Sequence, residues 1–218
     1  MKLLLHSCCA PCTVACAESL RAEGLDFRLF WYNPNIHPYT EYQSRRDALV
    51  RFAAGENLEL DSAGGYGLRL FLRGLAEKAG AAEGAVSAEK AAGVDFAAPP
   101  GRCLFCYRLR LEKTAARAEE TGCGAFSTTL LISPYQDHEA VRGAGEEAAR
   151  RYAIPFLYRD FRPLFRGGRA KARERGLYMQ KYCGCVFSEE ERYLKKAAPP
   201  WEAARPGPQL AAHGRPRP

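Results

Sequence analysis

Seven of the nine cysteines fall into three short groups. Cys8-Cys9-Ala10-Pro11-Cys12 follows the apolar run Leu3-Leu4-Leu5, Cys103 and Cys106 form a C-x-x-C pair, and Cys183-Gly184-Cys185 forms a C-x-C pair. In a reducing compartment, such spacings indicate metal or redox chemistry rather than structural disulfides. We therefore expect these seven thiols to converge on one site.

Two of the groups together supply a set of four thiols. Cys8 and Cys9 end a predicted strand, and Cys103 and Cys106 lie on one face of the first turn of a predicted helix. Four thiolates suit a 4Fe–4S cluster, although zinc also binds paired C-x-x-C spacings. The positive end of the helix is expected to lower the pKa of Cys103 and Cys106.

The remaining three thiols allow two interpretations. Cys12, Cys183 and Cys185 could hold a second metal with an open position, which is the arrangement that substrate chemistry needs. Alternatively, Cys183 and Cys185 form a strained and easily reduced disulfide that is redox-active. Gly184 gives the backbone the freedom to direct both sulfur atoms at one point.

Composition narrows the class of protein. The chain has 218 residues, of which 47% are hydrophobic, so a single folded core is expected. No apolar run approaches the ~18 residues of a membrane span, and three leucines are too short for a signal peptide, so we expect a cytoplasmic protein that contacts no membrane. The net charge of +7 permits nucleic-acid binding without demonstrating it. Cys16 and Cys123 are expected to be inert buried residues.

Apolar patterning predicts alternating strands and helices. Strands are predicted at 3–5, 27–32, 58–60, 126–132 and 154–158. Helices are predicted at 11–23, 40–56, 103–121, 169–177 and 188–195, with a further helix ending near 151 and one or two between 68 and 90. This alternation indicates an α/β fold with a mostly parallel sheet flanked by helices, and ligands bind beyond the carboxyl ends of such strands.

The predicted domain organisation is simple. Residues 1–196 are expected to form one catalytic domain, with a mobile Ala/Gly-rich excursion near 76–93. Residues 197–218 are rich in proline, alanine and arginine, and we expect them to be a disordered tail.

Six short sequence motifs occur one after another along residues 1–195. They are Cys8-Cys9-Ala10-Pro11-Cys12, Asn33-Pro34-Asn35-Ile36-His37-Pro38, the stretch from Gly101 to Leu111, the stretch from Phe126 to Tyr135, Asp160-Phe161-Arg162 and Tyr182-Cys183-Gly184-Cys185. In these motifs the chain resembles the QueH-type epoxyqueuosine reductases. The resemblance implies a HUP-like (Rossmann-like) α/β fold with its metal site at the C-terminal ends of the strands, a 4Fe–4S cluster and an additional iron. It also implies two-electron reduction of epoxyqueuosine to queuosine at the tRNA wobble position, with an external electron donor.

The resemblance also implies roles for the thiols. Cys8, Cys9, Cys103 and Cys106 match the cluster ligands of the family. Cys183 and Cys185 match either the ligands of the second iron or a redox-active pair, and Cys12 stands beside them as a third thiolate. Some members of the family carry a carboxylate at the position of Cys12.

Several further residues are candidates for contact with the substrate. The possible proton donors are Tyr135, Asp137, His138 and Asp160. The residues expected to shape the pocket mouth are Asn33, Asn35 and His37. Candidate phosphate contacts are Arg45, Arg46, Arg108, Arg110, Arg142, Arg162, Arg166 and Arg169, and candidate stacking partners are Tyr32, Tyr135 and Tyr178. Since Arg108 and Arg110 cannot share a helix face, at most one of them faces the site.

Three alternative functions remain open at the level of sequence. A cluster-dependent tRNA-thiolating enzyme would need a glycine-rich turn for ATP, where this chain has Ser7-Cys8-Cys9-Ala10-Pro11-Cys12. A non-catalytic, zinc-stabilised RNA-binding module would contain zinc and no sulfide. A general thiol–disulfide oxidoreductase would be active without iron.

Overall fold

A computed structural model of the chain describes residues 2–83 and 101–194. The strands are β1 (Leu3–His6), β2 (Phe27–Trp31), β3 (Leu60–Ser62) and β4 (Ala125–Thr128). The helices are α1 (Ala10–Ala22), α2 (Tyr39–Gly55), α3 (Leu68–Glu83), α4 (Gly101–Glu120), α5 (His138–Tyr152), α6 (Phe165–Glu174) and α7 (Val186–Tyr193). Short 3₁₀ turns occupy Thr129–Ile132 and Arg162–Leu164.

The strands form one parallel sheet in the order β3-β2-β1-β4. All four residues of β1 are buried, which means that both faces of this central strand are covered. Helix α1 packs against α2 and α6, while α4 packs against α5, β1 and β4. The predicted α/β fold with a parallel sheet flanked by helices is therefore confirmed.

The strand order has a consequence for ligand binding. The chain leaves β1 toward β2 on one side and later returns to place β4 on the other side of β1. Between β1 and β4 the connections therefore diverge in opposite directions, which opens a crevice beyond the carboxyl ends of the two strands. The first cysteine group, Cys8-Cys9-Ala10-Pro11-Cys12, begins two residues after β1, in this crevice.

The predicted strand at 126–132 is wrong in its second half. Strand β4 ends at Thr128, where the side-chain hydroxyl accepts a 3.1 Å hydrogen bond from the Leu130 backbone N–H. This cap starts a 3₁₀ turn, so the buried apolar residues of Thr129–Ile132 lie in a turn rather than a strand.

The predicted strand at 154–158 is also wrong. This segment contributes a single parallel bridge, between Phe126 and Phe156. The Phe126 N–H donates to the Pro155 carbonyl, and the Leu157 N–H donates back to the Phe126 carbonyl. Pro155 has no N–H to donate, and the segment stays a bridge at the edge of the sheet.

Other boundaries differ by a few residues. Strand β3 lies at Leu60–Ser62 rather than 58–60, and Asn57, between α2 and the strand, adopts a left-handed conformation with φ of 51°. Helix α6 is Phe165–Glu174 rather than 169–177. The excursion near 76–93 is covered by α3 up to Glu83, and the rest of it, like the tail at 197–218, lies outside the described residues. Within 2–83 and 101–194, no helix has both the length and the hydropathy of a membrane span.

The edge segment is fixed by a close approach to α5. A β-carbon added at Gly145 would lie 2.5 Å from a ring carbon of Phe156, whereas one added at Gly143 on the same helix would meet no atom within 4 Å. We predict that Gly145→Ala destabilises the fold by about 1–3 kcal/mol, because the Phe156 ring must move.

Gly143→Ala is the matched control, and it should be neutral or should stabilise the protein by up to ~1 kcal/mol through helix propensity. Guanidinium unfolding of both variants measures the difference. Equal stabilities would mean that Phe156 does not pack on α5 in solution.

Candidate metal and redox centre

The ends of β1 and β4 are joined directly below the crevice. The Cys8 backbone N–H donates to the Thr129 hydroxyl oxygen at 3.2 Å, and that hydroxyl lies 3.5 Å from the Cys8 sulfur atom. The buried His6 ring bridges the same strands, with Nδ1 2.8 Å from the Thr128 hydroxyl oxygen. Burial lowers the pKa of His6 to about 4, so this imidazole is a neutral structural bridge at pH 7.

The first cysteine group folds into a compact set of thiols. Cys9 caps α1, so Cys9 and Cys12 lie at opposite ends of its first turn. The sulfur atoms of Cys8, Cys9 and Cys12 all lie within 4.8 Å of one another, and in the described part of the chain no other three side chains of a metal-binding type are so close. Such a set could hold a thiophilic metal ion.

The three thiols have unequal acidities. Hydrogen bonds from Cys12 and Cys9 lower the pKa of Cys8 well below its ordinary value. The same bonding raises the pKa of Cys12, and burial raises the pKa of Cys9. The group therefore stabilises one thiolate, and binding a metal through all three sulfur atoms would release the remaining protons.

Two adjoining cavities contain the other thiols. A cavity of about 410 Å³ is lined by Cys8, Cys12 and Cys183. A second cavity of about 430 Å³ is lined by Cys103, Cys106, Cys183 and Cys185. The residues common to both linings are Asn35, Arg110, Tyr135, Gln136 and Cys183. The structure thus brings six of the seven predicted thiols to one connected region, and Cys9 is buried just behind it.

The expected lowering of thiol pKa at the start of α4 is wrong. Burial raises the pKa of Cys103, and it raises the pKa of Cys106 to about 12. Removal of these thiols from water outweighs the helix dipole, whose effect is only ~0.3–1 kcal/mol. Cys16 and Cys123 are buried, as predicted, and they line neither cavity.

The Cys183-Gly184-Cys185 turn depends on its glycine. Gly184 has φ of +147°, and a β-carbon there would lie 3.3 Å from Arg45 Nη1 and 3.3 Å from Ile36 Cγ1. Both the conformation and the space therefore favour glycine. All nine cysteines are free thiols in the structure, with Cys183 exposed and Cys185 buried.

A buried arginine holds this turn. The Arg45 guanidinium donates to the Cys183 carbonyl at 2.8 Å and to the Tyr182 carbonyl at 3.0 Å. Its Nε donates to Glu41 at 2.7 Å, and the side chains of Arg45 and Glu41 are only 1% and 9% exposed. Tyr178 donates its hydroxyl hydrogen to the other oxygen of Glu41. Arg45 was a candidate phosphate contact, but these partners make it a structural clamp.

His37 secures the other side of the turn. Its backbone N–H donates to the Gly184 carbonyl at 2.8 Å, and its Nδ1 accepts the Val186 N–H at 3.3 Å. Because Nδ1 accepts this bond, it carries no proton and the ring is neutral, with Nε2 donating to the Pro34 carbonyl at 3.0 Å. Burial lowers the pKa of His37 to about 4. Of the three residues expected to shape the pocket mouth, Asn35 lines both cavities, whereas Asn33 and His37 line neither. Asn33 instead donates to the Ser7 carbonyl at 3.0 Å.

Three residues that line the cavities carry buried polar atoms without partners. Arg110 Nη2, Asn35 Oδ1 and Gln180 Oε1 are buried, and none of them has a hydrogen-bond partner. The amide nitrogen of Gln180 lies 2.9 Å from the Cys9 sulfur and 3.7 Å from the Cys12 sulfur. Unpartnered buried groups are rare, so these atoms indicate a ligand that would satisfy them.

Sequence reasoning missed Gln180 and Gln136. Gln136 donates to the Cys183 sulfur at 3.7 Å, and it also accepts the Tyr107 hydroxyl hydrogen at 3.0 Å. Both glutamines lie in irregular segments, where no periodicity marks a residue as inward-facing. The only signal available from the sequence was proximity: Gln180 lies two residues before Tyr182, and Gln136 directly follows Tyr135.

Three of the four candidate proton donors have structural roles. Asp137 caps α5 by accepting the Ala140 N–H, and His138 Nε2 lies 3.2 Å from the Ser133 carbonyl. Hydrogen bonds from the Arg162 guanidinium lower the pKa of Asp160 to about 2, so this carboxylate holds no proton at neutral pH. Tyr135 lines both cavities.

The fold and the cysteines define the class of this protein. It is an α/β protein whose thiol-lined site lies beyond the strand ends at the divergence of β1 and β4, where a thiophilic metal or redox group could bind. A family profile described as epoxyqueuosine reductase QueH matches residues 3–191. The chain belongs to the QueH family.

Individual relatives agree with this family assignment. The chain is 36% identical to the epoxyqueuosine reductase QueH of Dehalococcoides mccartyi over 198 residues, which cover 91% of this chain and 98% of the relative. It is 36% identical to the Histophilus somni protein over 193 residues, or 86% of this chain and 72% of the relative. It is 32% identical to the Thermotoga maritima protein over 200 residues, which cover 89% of this chain and 94% of the relative. These matches do not favour the thiolating enzyme or the zinc module.

The Arg45 clamp leads to a prediction. Arg45→Met would leave Glu41 buried without its cation and would release the carbonyls of Tyr182 and Cys183. Unfolding in guanidinium should show a loss of about 3 kcal/mol, because breaking one side of a buried ion pair leaves an uncompensated charge. The buried Cys185 thiol should also react faster with iodoacetamide.

Arg46→Met is the control, because Arg46 is the exposed neighbour on the same helix. It should change neither the stability nor the alkylation rate by a measurable amount. If the two variants behaved alike, Arg45 would not be the group that holds the turn.

Proposed function

We propose that this chain is an epoxyqueuosine reductase that acts on tRNA carrying epoxyqueuosine at the wobble position. The observation that carries the proposal is the pair of adjoining thiol-lined cavities at the divergence of β1 and β4, in a chain matched by the family over residues 3–191. The reaction adds two electrons and two protons to the epoxide. An alkene remains, and the oxygen leaves as water.

The donor set supports a cluster and a second metal. Cys8, Cys9, Cys103 and Cys106 would bind a 4Fe–4S cluster, and Cys12, Cys183 and Cys185 would bind an additional iron. Six of these thiols line the two cavities, whose linings share Cys183, so ligands of both proposed centres lie in one connected region. When bound, the cluster supplies electrons one at a time and the iron supplies a Lewis acid.

Side chains around the thiols would tune this chemistry. The Gln180 amide donates to the sulfur atoms of Cys9 and Cys12, and hydrogen bonds to ligand sulfur stabilise added negative charge. Arg110 is 2% exposed and lines both cavities, and its buried Nη2 has no hydrogen-bond partner. Its charge favours thiolates there and would stabilise a reduced, more negative centre.

The setting of the reaction follows from its substrate. We propose that residues 1–196 form the catalytic domain and that the protein works in the cytoplasm, where tRNA is modified. The two electrons come from an external donor, since free thiols alone would be used up after one turnover.

The direct test is chemical analysis of protein prepared without oxygen, followed by an assay on tRNA that carries epoxyqueuosine. About five iron atoms and four acid-labile sulfides per chain are expected for a cluster with a neighbouring iron. Conversion of epoxyqueuosine to queuosine should then require a reductant. Zinc without sulfide, together with no conversion, would refute the proposal and favour an RNA-binding module.

A first variant tests the cluster ligands. Cys103→Ala should remove the visible absorbance of the cluster and lower the bound sulfide to near zero, since one of four thiolates is lost. Cys123→Ala is the matched control, because this thiol is buried and lines neither cavity. Retention of full absorbance by Cys103→Ala would exclude Cys103 as a ligand.

A second variant separates the cluster from the second centre. Cys185→Ala should keep the absorbance and sulfide of the cluster while turnover falls by a factor of about 100 or more, as for loss of a catalytic metal ligand. Spectra and single-turnover conversion measure the two effects on one sample. A normal rate would show that Cys185 has no part in the reaction.

A further inference from the structure

Cations surround the mouth of the 410 Å³ cavity. The cavity is lined by Arg169 on α6, by Lys181 in the segment between α6 and α7, and by Arg192 on α7. In the described ranges 2–83 and 101–194, none of the three forms an ion pair with a carboxylate. The charge at this opening is therefore uncompensated and faces solvent.

Other arginines in the same region are already occupied. Arg108 pairs with Glu147, Arg142 with Glu146 and Arg162 with Asp160, while Arg45 and Arg110 are buried. These five were candidates for phosphate contact from sequence, and in this structure three of them already engage carboxylates and two lie inside the fold. As predicted, only one of Arg108 and Arg110 faces the site.

An exposed aromatic ring stands on the same rim. Tyr135 is 83% exposed, although it lines both cavities. Its ring meets Phe165 edge-on at 5.8 Å, and the Arg169 guanidinium lies 5.6 Å from the centre of that Phe165 ring. Tyr135, Phe165 and Arg169 thus form a platform with one free aromatic face and one free charge.

The other two candidate stacking residues are less available. Tyr32 is half-buried, and Tyr178 is half-buried with its hydroxyl bonded to Glu41. Tyr135 is therefore the tyrosine of the three that an incoming base can reach.

We propose that Tyr135, Phe165, Arg169, Lys181 and Arg192 form a docking surface for a single-stranded RNA loop. The three cations bind phosphates, and Tyr135 stacks on a base beside the nucleotide that enters the cavity. The opening admits one splayed nucleotide rather than a duplex, because a cavity of about 410 Å³ is the size of a small-ligand site. The inference rests on the proposed function and deepens it, since it assigns the residues of this chain that receive the RNA loop around the wobble position.

The test measures binding without chemistry. Full-length protein prepared without oxygen is titrated into a fluorescent anticodon stem-loop RNA that lacks the modified base, and anisotropy is followed over a range of salt concentrations. Each of Arg169→Gln, Lys181→Gln and Arg192→Gln should weaken binding by roughly 3- to 10-fold and reduce the salt slope by about one. A fully duplex RNA of equal length should compete poorly.

The controls remove the same charge elsewhere. Arg51 on α2 and Arg150 on α5 are exposed, and neither lines a cavity or, among the described residues, pairs with a carboxylate. Arg51→Gln and Arg150→Gln should leave binding within about twofold of the wild type. If they weaken binding as much as the mouth variants, the effect is one of net charge and the docking surface is refuted.

Tyr135 is tested with a pair of variants. Tyr135→Leu should weaken binding by about 10-fold, and Tyr135→Phe should restore it, because the stacking face rather than the hydroxyl is used. Equal affinities for the Leu and Phe variants would overturn the stacking role. Thermal unfolding of each variant should match that of the wild type, since all these side chains lie on the rim.

The outcomes also separate this inference from the proposed function. Wild-type reduction of epoxyqueuosine, with mouth variants that bind RNA normally, would refute the surface and leave the function standing. If the wild type binds RNA at the mouth selectively but reduces no epoxide, the proposed function is refuted and the docking surface stands. Absence of RNA binding by the wild type would overturn the surface outright.

Discussion

The buried Arg45 guanidinium is the interaction on which the site depends most. A cation that is 1% exposed must be matched by nearby acceptors, since an unpaired buried charge costs several kcal/mol. Here the acceptors are the Glu41 carboxylate on α2 and the backbone carbonyls of Tyr182 and Cys183. Cys183 lies 138 positions after Arg45 in the chain. The requirement to neutralise one charge thus ties the third thiol group to the helix that follows β2.

Removal from water sets the chemical state of the site. Burial keeps His6 and His37 neutral and raises the pKa of Cys106, whereas hydrogen bonds among neighbouring thiols lower the pKa of Cys8. Unpaired atoms of Arg110 and Gln180 remain beside the same cavities. A ligand that accepts a hydrogen bond from Arg110 Nη2 and donates one to Gln180 Oε1 would satisfy both atoms, which is the behaviour of a binding site and not of a closed core.

Much of the fold could be predicted because its patterns are local. The strand β1 and the helix α1 could be predicted from an apolar run, from Pro11 at the start of the helix and from Gly24 just after its end. The same kind of local signal gave the alternation of strands and helices. The second half of the strand predicted at 126–132 and the strand predicted at 154–158 failed because apolar composition cannot distinguish a strand from a buried turn or an edge bridge. At 126–132 the Thr128 hydroxyl starts a turn by accepting the Leu130 N–H. At 154–158 the segment pairs with the sheet only through the bridge between Phe156 and Phe126. Spacing revealed the thiols, but Gln180 and the clamp role of Arg45 required the long-range packing.

By itself, the sequence determined the chemistry available to this protein: seven grouped thiols, a parallel α/β framework to hold them, and membership of the QueH family. Only the tertiary structure decided how the thiols divide between two cavities and which cations are free to meet a substrate. Arg108 and Arg110 illustrate the difference, since they are two positions apart on one helix. One pairs with Glu147 at the surface and the other is buried beside the thiols. Residue type and spacing are local properties, whereas burial and charge pairing depend on partners brought together from distant parts of the chain.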